Sequence, residues 1–111
     1  MRKRAEAIDL SVIDLDKFEY NDMVLVFKEP KQIKPDLDEF KQLYTIKDDT
    51  LGIDVYAYNR GELKEHLKEQ LEFLWISYAL EEDTNLTSDA LILKNNLLKA
   101  INCQGREVGY G

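Results

Sequence analysis

The chain has 111 residues, 44% hydrophobic and 33% charged, with 22 acidic against 15 basic side chains and a net charge of -7. That length suits one domain with a core of its own, and its wealth of aliphatic and aromatic residues excludes a disordered chain. A single cysteine, Cys103, excludes a disulfide scaffold; no apolar run approaches the ~20 residues of a membrane-spanning helix, and the acidic balance opposes general binding to phosphate backbones.

The start, Met1-Arg2-Lys3-Arg4, is basic, but Glu6 and Asp9 interrupt the apolar stretch that a secretory signal needs. A lone thiol without such a signal suits a reducing cytoplasm, so a cytoplasmic location is expected. In that setting the glycosylation triplet Asn85-Leu86-Thr87 is a chance match. Three basic residues beside a free amine make a weak nucleic-acid footprint and read as a solvated start.

Ile8, Leu10 and Val12 alternate with Asp9 and Ser11, the period of a half-buried strand. Asp14 to Asp22 is acidic and reads as a connecting loop. Met23-Val24-Leu25-Val26-Phe27 is continuously apolar and suits a strand covered on both faces or central in a sheet. Pro30 and Pro35 are expected to break regular structure. From Asp36 to Tyr44 two readings stand: a short capped helix carrying Leu37, Phe40 and Tyr44, or an extended lead-in to a strand at Leu43 to Lys47. Asp48 to Gly52 is turn chemistry, and Ile53, Val55 and Ala57 alternate with Asp54, Tyr56 and Tyr58 as the second arm of a hairpin.

Asn59 can cap a helix, with Glu62 completing a capping box and Tyr58 stapling onto Leu63. Leu63, Leu67, Leu71, Leu74 and Tyr78 then form one apolar stripe, which Trp75 widens. Phe73, Ile76 and Leu80 lie on a second face, expected to be covered by the last helix or a partner chain. Thr87 caps a second helix, whose face carries Leu93, Leu97, Ala100 and Ile101 and which Gly105 is placed to stop. Strands first and helices after define an α+β fold, an antiparallel sheet of three to four strands packed on one face by two C-terminal helices. The expected domain is 1–104, followed by a flexible glycine-rich tail, 105–111.

No catalytic set emerges. His66, the single histidine, could serve as a general base, but no nucleophile accompanies it in sequence, and a boundary position is the plainer reading. Cys103 has no activating neighbour and reads as a structural thiol. Asp14, Asp16, Glu19 and Asp22 suggest a calcium loop, yet Glu19 stands where the sixth-position glycine is required. Glycine-rich phosphate loops and paired Cys/His spacings for zinc are both missing, so neither cofactor nor metal is expected. A ligand pocket lined by Tyr56, Tyr58, Trp75 and His66 is the competing enzyme-like or ligand-binding reading.

The segment from Tyr44 to Leu74 resembles the hairpin-plus-helix core of HicB-type antitoxins, with Gly52, Tyr56, Asn59, Glu62, Leu63 and Leu67 in the matching roles. The resemblance implies a partial ribonuclease-H-like fold and a small cytoplasmic protein that neutralises a basic toxin by covering it. It names no catalytic residue, and the second helix that follows departs from the family, in which a further strand or a DNA-binding segment follows. The expected function is a non-enzymatic protein-interaction module with a basic protein partner, its surface including Phe73, Trp75, Ile76 and Leu80. A self-associating structural module, with the Ile8 strand pairing across a two-fold axis, is a third reading.

Overall fold

A computed structural model describes residues 8–20 and 22–105. The basic start at Arg2-Lys3-Arg4 and the tail beyond Gly105 lie outside the described residues. The class is α+β: six strands, β1 (Ile13–Tyr20), β2 (Met23–Ile33), β3 (Asp36–Asp38), β4 (Leu43–Asp48), β5 (Ile53–Ala57) and β6 (Ile101–Gly105), and two helices, α1 (Arg60–Leu74) and α2 (Ser88–Ala100). The strands divide into two antiparallel sheets of three, ordered β1-β2-β6 and β3-β4-β5. A single core joins both sheets to the helices through residues such as Leu25, Ile46, Ile53, Leu67, Leu71 and Leu97.

The first correction concerns the N-terminal segment. Ile8 to Val12 is not a strand; Ile8 and Val12 are exposed and only Leu10 packs on the core. Its backbone polar groups go to side chains instead. Arg60 donates to the carbonyls of Asp9, Ser11 and Val12 at 3.2, 2.8 and 3.1 Å. Lys34 Nζ donates to the Leu10 carbonyl at 2.8 Å, and the Asp9 N–H donates to Tyr44 Oη at 3.3 Å.

The strand lies further on, where acidic residues suggested a loop. β1 runs antiparallel to β2, but the register slips between Leu15 and Lys17, from Leu15↔Lys31 to Lys17↔Val26. This bulge changes which positions face inward, so Ile13 and Leu15 are followed by Phe18 and Tyr20. The resulting two-three-two spacing defeats any search for alternation. The bulge also explains Pro30, which was expected to end β2 and sits inside it. Phe27 to Pro30 have no partner on β1, and β6 pairs only from Met23 to Phe27, so no ladder bond is asked of the Pro30 nitrogen. β2 is central, as its apolar run implied.

Between Asp36 and Tyr44 the chain is extended and then turns. Asp38 Oδ1 accepts from the N–H groups of Phe40 and Lys41, so this carboxylate shapes a turn, not a helix cap. The β4–β5 hairpin forms as read, with Asp48 Oδ1 accepting from Thr50 and Leu51 N–H and Gly52 at φ +76°.

In α1, Asn59 Oδ1 accepts from Glu62 N–H at 2.8 Å. The staple does not form as expected: Leu63 is buried and Tyr58 is exposed. Leu63, Leu67, Leu71 and Leu74 are all buried. A π-helical turn, Trp75–Ala79, follows directly. Leu74, Trp75 and Ala79 are buried there, and with the wider π-helical turn it is Ala79 that enters the core and not Tyr78, which continues the stripe in the sequence and is only half-buried. Thr87 caps α2 by accepting from Ala90 N–H. Helix α2 ends before Ile101, so Gly105 does not stop it. Ile101 to Gly105 instead pair with Phe27 to Met23, so the boundary expected between 104 and 105 falls inside β6.

Candidate functional site

Along α1 and the π-helical turn that continues it, three lengthwise rows stand out. The buried leucines face the sheets. Arg60, Lys64 and Lys68, four residues apart, form a basic stripe beside β1. Glu62, Glu65, Glu69, Phe73, Ile76 and Leu80 recur at steps of three and four and are all exposed. This outward ridge is acidic in its first half and apolar in its second. Like charges four apart weaken a helix by a few tenths of a kcal/mol each, whereas interleaved signs would strengthen it. Lys68 stands three residues after Glu65 and four before Glu72, spacings at which opposite charges offset part of that cost.

Among the described residues, nothing covers the apolar half of the ridge. Phe73, Ile76 and Leu80 are 58%, 42% and 54% exposed, so neither α2 nor a sheet shields them. The expectation that the last helix covers this face is corrected. α2 packs on the π-helical turn elsewhere, and Lys94 reaches back from it to Asp83 Oδ1 at 2.8 Å. Trp75 does not belong to the surface: it is 2% exposed and part of the core, and its indole N–H has no hydrogen-bond partner among the described residues.

Of the residues expected to line an aromatic pocket, Trp75 is buried while Tyr56 and Tyr58 are exposed. Alternation on β5 sends Val55 and Ala57 inward and Tyr56 outward, while Trp75 points into the core. His66 Nδ1 lies 2.8 Å from the Tyr56 carbonyl, a bond that orients the ring against β5. One turn later, Gln70 Oε1 accepts from Asp54 N–H at 2.7 Å and Gln70 Nε2 donates to the Asp54 carbonyl at 3.4 Å. His66 and Gln70 thus satisfy outward-facing backbone groups of an edge strand. That role could have been sought in the sequence from their i, i+4 spacing next to the hairpin, though not without knowing which strand is the edge.

Two of the open clefts are lined by lysines. One, of about 660 Å³, lies between the β2 bulge, the β4–β5 turn and α2, and is lined by Lys28, Lys31 and Lys99. Lys31 is held by Asp48 at 3.0 Å. The other, of about 550 Å³, lies between β1 and α1 with Leu15, Phe18 and Leu71 in its lining and Lys17, Lys64 and Lys68 around them. Neither is lined by His66 or Cys103. Among the described residues, no three His, Cys, Asp or Glu side chains gather as a metal site. Cys103 is exposed, its Sγ 3.2 Å from Met23 Sδ.

One carboxylate is electrostatically tuned. Ser11 donates its hydroxyl and its N–H to Asp9 Oδ1, at 2.7 and 3.0 Å, and these bonds hold the Asp9 carboxyl below its ordinary value, with help from Arg60 and Lys64. The Arg60 bonds to the carbonyls of Asp9, Ser11 and Val12 are what hold this segment against α1. No helix among the described residues is long and apolar enough to cross a membrane. The chain matches no family model, no curated protein and no solved structure.

Proposed function

We propose that the chain is a non-enzymatic protein-interaction module of the cytoplasm, and that the outward ridge of α1 is its docking surface for a basic protein partner. The observation that carries this reading is the uncovered row of Phe73, Ile76 and Leu80 continuing the acidic row of Glu62, Glu65 and Glu69. Apolar anchors supply affinity when desolvated, and the acids beside them steer a cationic partner and fix its direction. A net charge of -7 favours the same class of partner at long range.

An antitoxin-like role, covering and neutralising a basic toxin, is the specific form of this proposal. The strand–turn–strand–capped helix unit from Leu43 to Leu74 supports it. The test uses two baits in extract of the source cells: the unaltered chain and a Phe73→Asp/Leu80→Asp variant of equal thermal stability. A basic protein retained by the first and lost by the second, and released by salt, is the expected result. Identical recovery by both baits would overturn the proposal.

A further inference from the structure

A sheet edge offers unpaired N–H and C=O groups to any passing strand, and folded proteins blunt such edges with charge, bulges, short length or a covering element. The strands of the described residues leave four sheet edges, and three are blunted. β1 carries Asp14, Asp16, Lys17 and Glu19, and its pairing is interrupted by the register shift opposite β2. β3 is three residues long and includes Asp36 and Asp38. β5 is covered by the His66 and Gln70 side chains. Among the described residues β6 has none of these devices: Ile101-Asn102-Cys103-Gln104-Gly105 is uncharged and free of proline, and nothing pairs with its outer side.

We infer that two copies of this chain associate by antiparallel pairing of β6 with β6, joining two three-stranded sheets into one of six across a two-fold axis. The charge pattern selects a second copy as the occupant. Two-fold pairing sets a strand against itself, so an edge bearing one dominant sign repels its own copy. At -7 per chain, self-association is disfavoured wherever acids meet. β6 is the edge where they do not. A register centred on Cys103 places Asn102 opposite the partner subunit's Gln104, two exposed amides able to hydrogen-bond across the seam. This association uses a surface distinct from the α1 ridge and does not depend on the reading proposed for that ridge. The two respond oppositely to salt: screening weakens attraction to a basic partner and relieves repulsion between like-charged copies.

The test is the solution mass of the full chain under reducing conditions, by sedimentation equilibrium over a wide concentration range at low and moderate salt. The expected result is a monomer–dimer equilibrium shifted toward dimer by salt. An Asn102→Lys/Gln104→Lys variant, which sets lysine against lysine across the seam, is expected to weaken it about tenfold. Amide exchange of the unaltered protein supplies a second readout, with residues 101–104 becoming slower as concentration rises. A monomer at every concentration, a dimer indifferent to the two lysines, or exchange at 101–104 that ignores concentration would each overturn the inference.

Discussion

Asp9 and Arg60 show how single side chains can replace a ladder of backbone bonds. Three carbonyls of the N-terminal segment end on one guanidinium, and the Asp9 carboxylate faces the same group with Oδ2 at 3.7 Å from Nε. The Asp9 carboxyl is held low chiefly by the two Ser11 bonds, which favour its ionised form. A carboxyl whose folded value is depressed adds stability above its unfolded value and loses it as pH falls through the folded one. NMR titration is therefore expected to place the Asp9 midpoint below the ordinary 3.8, and Ser11→Ala to move it upward. A midpoint at or above the ordinary value in the unaltered protein would contradict the bonding described. Leu10 and its flanking residues alternate like a strand, and nothing local in the sequence shows that Arg60, some fifty residues away, holds their carbonyls.

At the scale of elements, legibility followed locality. The β4–β5 hairpin and both helix starts were readable because their determinants are adjacent: Asp48 and Gly52 make the turn, and Asn59 and Thr87 cap the helices. β1 was hidden because its bulge breaks the two-residue period, and β6 because Asn102, Cys103 and Gln104 become a strand only by pairing with β2. Gly52 illustrates a strictly local demand. At φ +76°, an added Cβ would also lie 3.1 Å from Leu93 Cδ2. Gly52→Ala is expected to cost about 1–3 kcal/mol in urea unfolding, through left-handed backbone strain and displacement of Leu93. Gly61, in the first turn of α1 with no unusual φ, supplies the opposite sign: Gly61→Ala is expected to gain a few tenths of a kcal/mol or more. Equal effects at the two sites would refute this reading of the turn. The β5 edge gives a third expectation: Gln70→Ala should speed exchange of the Asp54 amide, whose N–H it otherwise engages. Unchanged exchange there would show that the edge is guarded by something else.

Across the whole molecule, core and surface separate cleanly along α1. The leucine stripe and the Phe73-Ile76-Leu80 row were both visible in the spacing, but the periodicity did not say which row α2 would cover. In the fold, α2 packs on the π-helical turn, where Trp75 and Ala79 are buried and Ile76 is exposed. Charge segregation was equally present in the sequence, in the four-residue spacing of Arg60, Lys64 and Lys68 against that of Glu65 and Glu69. It gains meaning once the apolar row is known to be uncovered.

The ridge is tested most directly by a photoreactive residue placed at Ile76 in the full chain and irradiated in the source cells, with Tyr56 on the outer face of the β3-β4-β5 sheet as the matched exposed position. The account predicts a discrete covalent adduct with a basic protein from position 76 and none of it from position 56. Irradiation that yields no adduct at 76, or the same adducts at both positions, would contradict it.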